Sequence, residues 1–388
     1  MRKKILFIIS NMETGGVSKS MASLMNVIDR GRYDISLMIV SPTGAFMELL
    51  PRDLRILTNP IWGALSGRWD GLVKLVKSRH FLFAMGHCMR LLLSALGFKS
   101  ISARLIAAMM PPIDEEFDSI VDFNGQQQLY FMVNKLKATK KVTFFHSDYE
   151  KWPYYYKADK NYFPLVDYIF TISEKCVRSL KKYFPEQSDK IKLMENISSL
   201  EMIERMAGEN ITDMAYNGRT LLTVGHVCEN KGSFWAIEAA EILKSRGIGF
   251  HWYFLGAMEK PEEYRSIVES KGLENNITFL GIRSNPYPYI KKASLIVHPS
   301  KFEGRSIALD EAKLLCKPIV VTNFSTVNDQ FTDRHNASIC QMKPESIANA
   351  VEELLSDESL RKIYVSNLLA ERHDNSSEIE KLYRIFDE

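Results

Sequence analysis

Short apolar runs that alternate with helix-like stretches dominate this sequence and restrict the folds that it can adopt. In the first half, five runs have the length and the β-branched or aromatic character of strands: residues 4–10 (KILFIIS), 35–40 (ISLMIV), 119–123, 141–146 (KVTFFH) and 168–172. Helical patterns separate these runs. Because a helical crossover returns the chain to the same edge of a sheet, the order predicts a parallel α/β sheet.

The second half repeats this order, and three of its strands end at a glycine. These are LLTVG (221–225), HWYFLG (251–256) and ITFLG (277–281), and the strands SLIV (294–297) and PIVVT (318–322) follow them. A glycine at the carboxyl end of a strand lets the chain turn sharply and lets a ligand approach the backbone. Three such glycines in succession predict a ligand cleft at this edge.

The length of 388 residues favours two domains over one core. A polar stretch without strong periodicity at 196–218 separates the two strand series, and we take residues 197–217 as a linker. The first domain is then predicted at 1–196 and the second at 218–371, with a C-terminal helix at about 372–388 that can pack back on the first. The expected architecture is two Rossmann-like α/β domains facing a central cleft.

The composition is that of a soluble globular protein, with 46% hydrophobic and 25% charged residues. Five scattered cysteines without a C-x-x-C pair give no disulfide framework or zinc site, which favours a reducing compartment. The N-terminal apolar run ends at Asn11, which is too short for a signal peptide. We therefore expect a first β-strand there and a cytoplasmic protein.

The charge is unevenly distributed. Residues 1–195 contain 28 Lys and Arg against 19 Asp and Glu, whereas the remainder contains 22 against 28. Residues 69–110 are both basic and apolar, with six Lys or Arg and one acid. This combination is typical of helices on an anionic membrane surface, but also of core helices with solvated basic faces. The first interpretation predicts peripheral attachment to the inner face of the cell membrane, and no nucleic-acid partner is expected.

The segment EGRSIALDE (303–311) places one glutamate before a Gly-Arg-Ser turn and a second inside the helix that follows. The free N–H groups and the dipole of that helix start form an anion site suited to a diphosphate. Arg305 adds a fork of donors that matches phosphate oxygens. Glu303 could accept hydrogen bonds from sugar hydroxyls, and Glu311 from a ribose on the same diphosphate. The spacing thus suits a sugar nucleotide.

The stretch PSKFEGRSIALDEAKLLCKPIVVTN resembles the E-x7-E signature of retaining glycosyltransferases with the GT-B fold, especially glycosyltransferase family 4. The segments TVGHVCENKG (223–232), SNMETGG (10–16) and TISEKCVRSL (171–180) are also similar to that family. The resemblance implies that Glu303 contacts the donor sugar as a catalytic residue and that Glu311 contacts the ribose. The groups that it implies for the donor diphosphate are Lys231 and the backbone of Ser306, Ile307 and Ala308.

The sequence departs from the family pattern at two places. His226 stands where the family usually has arginine, and it is largely neutral at pH 7. Arg305-Ser306 replaces the usual aromatic-Gly step. We infer that Arg305 supplies the charge that is missing at position 226.

Further candidates lie at strand ends of the first half. Gly15 and Gly16 either bring the backbone close to the donor phosphates or acceptor, or form a tight turn. His146 follows the strand KVTFF, where the family often has a histidine that faces the transferred sugar, and it is the second catalytic candidate. Asp122 and Asn124 are weaker candidates. The tyrosines of WPYYY (152–156) line an acceptor site or pack beneath a loop, and we prefer packing.

The function expected from the resemblance is a retaining hexosyltransferase that uses a nucleotide sugar and a glycan or lipid-linked acceptor, in surface polysaccharide or glycolipid assembly. A UDP-sugar is the first choice of donor and GDP-mannose the second, and no cofactor is expected. No D-x-D motif occurs in the chain, so a metal-independent reaction is predicted. A sugar-nucleotide epimerase and a non-catalytic sugar-nucleotide-binding subunit remain alternatives. A nicotinamide-dependent dehydrogenase is disfavoured because the glycine fingerprint is missing.

Overall fold

The computed structural model describes residues 2–13, 15–372 and 375–388, which divide into two compact units. The first comprises residues 2–13, 17–197 and 377–388, and the second comprises residues 15–16 and 198–376. Thr14 of the glycine-rich SNMETGG loop and residues 373–374 of the predicted C-terminal helix lie outside the described residues.

The first unit contains a seven-stranded parallel sheet in the order β3-β2-β1-β4-β5-β6-β7. Its strands are β1 (Lys4–Ile9), β2 (Asp34–Ile39), β3 (Arg55–Leu57), β4 (Glu116–Asp122), β5 (Lys137–Phe145), β6 (Tyr168–Thr171) and β7 (Ile191–Leu193). Its first eight helices are α1 (Gly16–Val27), α2 (Pro60–Ser66), α3 (Trp69–Lys77), α4 (Phe81–Ala95), α5 (Lys99–Met109), α6 (Gln127–Lys135), α7 (Tyr156–Tyr162) and α8 (Glu174–Tyr183). The central strand β1 is a continuous apolar run because helices cover both faces of the sheet.

The second unit contains a six-stranded parallel sheet in the order β10-β9-β8-β11-β12-β13. Its strands are β8 (Thr220–Val224), β9 (His251–Leu255), β10 (Ile277–Gly281), β11 (Leu295–His298), β12 (Ile319–Thr322) and β13 (Ser338–Cys340). Its helices are α9 (Leu200–Met206), α10 (Ser233–Ser245), α11 (Pro261–Ser270), α12 (Tyr287–Lys292), α13 (Ile307–Leu314), α14 (Pro344–Ser356) and α15 (Glu358–Ala370). The predicted class of two parallel-sheet α/β domains is confirmed.

Each sheet has one point at which the strand order reverses. In the first unit it lies between β1 and β4, and in the second between β8 and β11. The loops that follow the two strands on either side of a reversal point lead away from each other. This opens a crevice at the carboxyl ends of the two strands, where α/β proteins bind ligands. The loops that follow these four strands are therefore the places to look for functional side chains.

The last helix, α16 (Glu380–Asp387), packs into the core of the first unit. The ring of Phe386 meets Phe7 of β1 edge to face with 6.2 Å between centroids. The Tyr383 hydroxyl accepts a hydrogen bond from the Asp29 amide at 2.7 Å. The two ends of the chain thus share one core.

The ten predicted strands are all present, and the glycines that end three of them have the expected backbone. Gly225, Gly256 and Gly281 have φ values of 142°, 153° and 72°, a region that side chains disfavour. At Gly256 a side chain would also collide with the Gly225 carbonyl oxygen. In the part of the chain that the structure describes, no helix is both long enough and apolar enough to cross a bilayer.

Candidate active site in the second unit

The centre of the candidate site lies between β11 and α13. The strand ends at His298, where the buried run LIVH reaches the carboxyl edge of the sheet. The chain then forms a loop to Ser306 and enters α13, as the pattern SIALDEAKLL predicts. The loop therefore holds Glu303 beside the start of α13 and at the reversal point of the sheet.

Glu303 is tightly held within this loop. Only 8% of the residue is exposed, and its Oε1 accepts two hydrogen bonds. Lys231 Nζ donates at 2.6 Å and His298 Nε2 donates at 2.8 Å. Because a carboxylate only accepts, the proton of His298 must be on Nε2. The structure thus brings together Lys231 and Glu303, which were predicted for separate roles, and adds His298.

The electrostatic setting keeps Glu303 ionised. Burial by itself would raise the pKa of this carboxyl, because a charged group loses hydration. The hydrogen bond from His298 and the positive charge of Lys231 outweigh burial and lower the pKa of Glu303 to about 2. The carboxylate is therefore a permanent hydrogen-bond acceptor at neutral pH.

The loop that carries Lys231 is fixed against the loop that carries Glu303. Gly232, which follows the lysine, has φ 67°, and a side chain there would collide with the Pro299 carbonyl oxygen. The Lys301 amide donates to the Asn230 carbonyl at 3.0 Å. This close packing explains why Lys-Gly stands here, and it sets the position of the ammonium group.

The start of α13 presents backbone donors next to this pair. The Ser306 amide donates to Gln330 Oε1 at 3.0 Å, and Gln330 Nε2 donates back to the Ser306 carbonyl at 2.9 Å. The amides of the next two residues, Ile307 and Ala308, have no acceptor within the helix. An anion at this helix start would be stabilised by those amides and by the helix dipole.

Arg305 lies at the same helix start and is paired with an acid that the sequence analysis did not use. Its Nε donates to Asp310 Oδ2 at 2.9 Å and its Nη2 to Asp310 Oδ1 at 3.2 Å. Both side chains are largely buried. The guanidinium is thus held in a fixed orientation, and part of its charge is neutralised.

Glu311 is buried on the second turn of α13. Its Oε1 accepts a hydrogen bond from the Tyr287 hydroxyl at 3.0 Å. Burial and the neighbouring Glu311 carboxylate both raise the pKa of Tyr287, so this tyrosine stays a donor. His226 is half-buried on the loop after β8, two residues beyond that strand.

The remaining predicted residues lie at strand ends of the first unit or at the start of α1. His146 follows β5 and stacks on Phe144 with 5.5 Å between ring centroids. Burial lowers its pKa to about 4, although a hydrogen bond with Asn196 opposes the shift. Its Nε2 is buried and has no hydrogen-bond partner among the described residues. A neutral imidazole with an unused nitrogen is available there.

Asp122 and Asn124 both fix the loop after β4. Asp122 accepts hydrogen bonds from the Gly125 amide at 2.9 Å and from Thr143 Oγ1 at 2.6 Å. Burial raises its pKa to about 7 against these hydrogen bonds. Asn124 Oδ1 accepts from the Ser10 amide at 2.7 Å. Gly16 is the first residue of α1, and Gly15 precedes it.

Four residues of the site were not predicted from the sequence: Tyr287, His298, Asp310 and Gln330. His298 carried a usable signal, because it ends a buried strand five residues before Glu303. Gln330 lies 24 residues beyond Ser306, in a segment without a recognisable pattern, so no local signal links the two.

Residues 211–368 match the family model described as "Glycosyl transferases group 1". This range holds the whole of the site described above. It covers less than half of the chain, and the first unit lies outside it.

Curated relatives support the same assignment at low identity. One relative is a 4-alpha-N-acetylgalactosaminyltransferase of Campylobacter jejuni, whose substrate is N-acetylgalactosamine-N,N'-diacetylbacillosaminyl-diphospho-undecaprenol. It is 27% identical to this chain over 204 residues, which cover 52% of this chain and 54% of the relative. The poly(ribitol-phosphate) alpha-N-acetylglucosaminyltransferase of Staphylococcus aureus is 23% identical over 53% of this chain and 46% of the relative. The chain thus spans about half the length of these curated relatives.

Solved structures match over the whole chain. HepE of Anabaena in complex with UDP and glucose has a TM-score of 0.69 at 15% identity, with both chains fully covered. A variant of TarM of S. aureus in complex with UDP and two sugar ligands has a TM-score of 0.71 at 12% identity, again with full coverage. At such identities the likeness establishes the fold, which is that of GT-B glycosyltransferases. The chain thus has the GT-B fold, and its residues 211–368 match the glycosyl transferases group 1 family model.

Proposed function

We propose that the protein is a retaining glycosyltransferase that moves a sugar from a nucleoside-diphosphate sugar to a glycan or lipid-linked acceptor. The observation that carries the proposal is the convergence of Lys231 and His298 on one oxygen of Glu303, beside the helix start of α13. This geometry places a fixed carboxylate, a cation and free backbone donors within one small region.

Each group of the second unit has a proposed role. Lys231 and the amides of Ile307 and Ala308 would bind the diphosphate, because they supply positive charge and N–H donors. The Ser306 amide would join them by exchanging Gln330 Oε1 for a phosphate oxygen. Arg305 would add its charge from a position fixed by Asp310. Glu303 would accept hydrogen bonds from hydroxyls of the donor sugar. Glu311 would accept one from the ribose, and for this a ribose hydroxyl must reach the carboxylate that already accepts a hydrogen bond from Tyr287.

The proposed reaction breaks the bond between the anomeric carbon and the diphosphate oxygen. The acceptor oxygen forms its bond to the same face of that carbon, and its proton passes to the departing phosphate oxygen. Negative charge grows on the leaving group, so fixed positive charge there lowers the barrier. Lys231, Arg305 and the start of α13 would provide that charge in a metal-independent reaction.

The roles that we propose for residues of the first unit rest on fewer observed contacts. His146 would meet the transferred sugar as a neutral imidazole, because its pKa of about 4 leaves it uncharged at pH 7. Gly15 and Gly16 would allow the backbone to approach the donor phosphates. A role for His226 as a neutral phosphate ligand, and contacts of Asp122 and Asn124 with substrate, rest only on their strand-end positions.

The setting that we propose is surface polysaccharide or glycolipid assembly, on the inner face of the cell membrane. The relatives named above, which act on a diphospho-undecaprenol-linked glycan and on poly(ribitol-phosphate), support an acceptor of that kind. A UDP-sugar is the preferred donor, since HepE and TarM were solved with UDP. GDP-mannose is the second choice.

The surface of α3 to α5 supports attachment to an anionic membrane. Leu82 is 80% exposed, Trp69 71% and Met85 69%. Further large apolar side chains are exposed along the same three helices and in the turn between α4 and α5: Val73, Val76, Phe81, Met89, Leu92, Leu96, Phe98 and Ile101. Five exposed cations accompany them: Lys74, Lys77, Arg79, Lys99 and Arg104. We call these exposed apolar side chains and cations the α3–α5 surface. Exposed apolar side chains accompanied by cations suit a bilayer with anionic headgroups.

The function is tested by incubating the protein with a panel of nucleotide sugars, with and without a membrane extract, and measuring nucleoside diphosphate release. We expect release that the extract stimulates for one donor. Interconversion of a donor without release would instead identify an epimerase. Tight donor binding without either reaction would identify a non-catalytic sugar-nucleotide-binding subunit.

A further inference from the structure

A second site is present in the first unit, at the reversal point of its own sheet. A cavity of about 610 Å³ opens there, which is in the range of small-molecule sites. Ser10 and Asn11, which follow β1, line one side of it, and residues 126–128 at the start of α6 line another. The remaining wall comes from helices α2 to α5, from Ser41 and from Tyr154 and Tyr155. The cavity thus occupies the position where α/β sheets bind ligands.

The charges that line this cavity favour an anion. Three cations face it, Lys74, Arg90 and Lys99, against the single carboxylate of Asp70. Asp70 and Lys74 are within 3.8 Å of each other on the surface of α3. The other two cations have no carboxylate within ion-pair distance in the described ranges 2–13, 15–372 and 375–388. The wall therefore carries excess positive charge.

Arg90 is the most informative of the three, because only 8% of it is exposed. Its guanidinium donates to the Gly67 carbonyl and, at 3.4 Å, to His87 Nδ1. His87 Nε2 lies 2.8 Å from the Arg68 carbonyl, which can only accept, so His87 is a neutral donor there and an acceptor toward Arg90. A buried guanidinium that contacts only neutral groups is costly, and an anion in the cavity would offset that cost.

The start of α6 adds donors on the opposite side. Gln126 has φ 45°, a strained conformation for a residue with a side chain, and such strain is common at ligand sites. It directs the first turn of a nine-residue helix at the cavity. The carboxamides of Gln127 and Gln128 are held by Ser66 Oγ at 3.1 Å and Ser10 Oγ at 2.6 Å. The wall is thus built from ordered polar groups.

Exposed apolar side chains flank the lining residues on two of the helices. Trp69 precedes Asp70 on α3, and Phe98 precedes Lys99 at the start of α5. Tyr154, 40% exposed, lines the cavity itself, and Lys99 Nζ lies 4.2 Å from the centroid of its ring. An apolar chain attached to a ligand in the cavity would therefore meet apolar surface at the rim.

We propose that this cavity binds the phosphate or diphosphate group of an amphiphile whose apolar chain lies over the α3–α5 surface. That the amphiphile is the sugar acceptor rests on the proposed function, whereas the binding of its anionic group rests on the cavity alone. Arg90 and Lys99 would contact the phosphate oxygens, and Tyr154 and Phe98 the first part of the chain.

The test is equilibrium binding of two probes, inorganic pyrophosphate and geranyl diphosphate, to the full chain at low salt. Lys99→Ala should weaken binding of geranyl diphosphate at least fivefold. The matched control Lys181→Ala, an exposed lysine on α8 that does not line the cavity, should leave it within twofold. Phe98→Ser should weaken geranyl diphosphate more than pyrophosphate, because only the former has an apolar chain.

The outcomes separate this proposal from the glycosyltransferase proposal. Lys231→Ala should leave geranyl diphosphate binding unchanged while it weakens nucleoside diphosphate binding in the second unit. Equal affinities of wild type and Lys99→Ala for geranyl diphosphate would overturn the cavity proposal. If the wild type and Phe98→Ser both bound the two probes with equal affinity, the ligand would not be an amphiphile. The cavity would then be a site for a free phosphorylated ligand.

Discussion

Lys231 and Glu303 are 72 residues apart in the sequence, yet Lys231 Nζ lies 2.6 Å from Glu303 Oε1. The contact joins the loop after β8 to the loop after β11, the two loops that flank the reversal point of the second sheet. An ion pair in that place orders both groups before any ligand arrives. A diphosphate would then compete with Glu303 for the ammonium group or share it.

Replacing Lys231 by alanine should weaken nucleoside diphosphate binding by about 1.5–3 kcal/mol, the range for a hydrogen bond to a charged group. Calorimetry with a nucleoside diphosphate and with the nucleoside alone measures this, and the nucleoside should bind as in the wild type. Lys301→Ala is the matched control, since Lys301 is similarly exposed but pairs with Glu229 instead. Equal weakening by both variants would remove Lys231 from the diphosphate site.

Arg305→Ala should also weaken nucleoside diphosphate binding by about 1.5–3 kcal/mol if its charge stands in for the arginine missing at position 226. The comparison variant is Asp310→Asn, which keeps the shape of the side chain but removes the charge that neutralises Arg305. We expect that variant to bind the diphosphate at least as tightly as the wild type. Equal losses for nucleoside and diphosphate in Arg305→Ala would mean that the change disturbs the fold.

The pH dependence of stability tests the burial of His146. Its pKa falls from an ordinary 6.5 to about 4 in the folded protein, so the unfolded chain binds more protons between those values. The stabilising effect of its neutral form is complete above about pH 6.5 and is lost as the pH falls toward 4. Denaturant unfolding at several pH values should show this loss for the wild type relative to His146→Gln.

The pKa of the buried acid Asp122 is raised to about 7, so its contribution to the unfolding free energy changes with pH in the opposite direction to that of His146. It is present in both proteins, so the difference between wild type and His146→Gln isolates the histidine. A difference in unfolding free energy that stays constant from pH 4 to 7 would show that His146 is solvated.

The α3–α5 surface should bind anionic liposomes at low salt and release them at high salt, because each cation near the surface contributes about 1 kcal/mol and the Debye length shrinks with salt. Sedimentation of the double variant Lys77→Glu, Arg104→Glu should be strongly reduced. The same charge change at Arg178 and Lys181 of α8 is the control and should have little effect. Wild-type protein that stays in the supernatant at low salt would argue for a soluble acceptor.

The sequence predicted the sheet strands of the two units well, because buried parallel strands are continuous apolar runs that can be recognised locally. The edge strands β3, β7 and β13 were missed. Each is three residues long, so it carries too little pattern to stand out. Helix α9 was missed because its seven residues lie in a stretch without strong periodicity.

Helix α4 shows a deeper limit of sequence patterns. The polar residues His87 and Arg90 interrupt its apolar run and would ordinarily be assigned to the solvent side. The structure buries both and exposes Leu82, Met85 and Met89 instead. Only the tertiary positions of the Gly67 and Arg68 carbonyls explain this inversion, and the sequence does not reveal them.

The site was predictable where its residues share one segment and not where they converge from distant ones. The motif from Glu303 to Glu311 identified the helix start, which the structure has at Ile307. The spacing of Arg305 and Asp310 allowed their pairing to be predicted. The charge of Arg305 alone, however, does not reveal whether it binds a ligand or pairs with an acid of the same chain. The contact of His298 with Glu303 depends on the exact path of the loop between them.

In the proposed reaction, Glu303 acts on the donor sugar while other groups hold the diphosphate. The most direct measurement is nucleoside diphosphate release by wild type and Glu303→Gln at saturating donor and acceptor extract, together with the affinity of both proteins for the nucleoside diphosphate. We predict an affinity at least as high as that of the wild type, because Lys231 loses its carboxylate partner, and a turnover at least 100-fold lower, about 2.7 kcal/mol of transition-state stabilisation. Near-normal turnover in Glu303→Gln would show that Glu303 is not a catalytic residue.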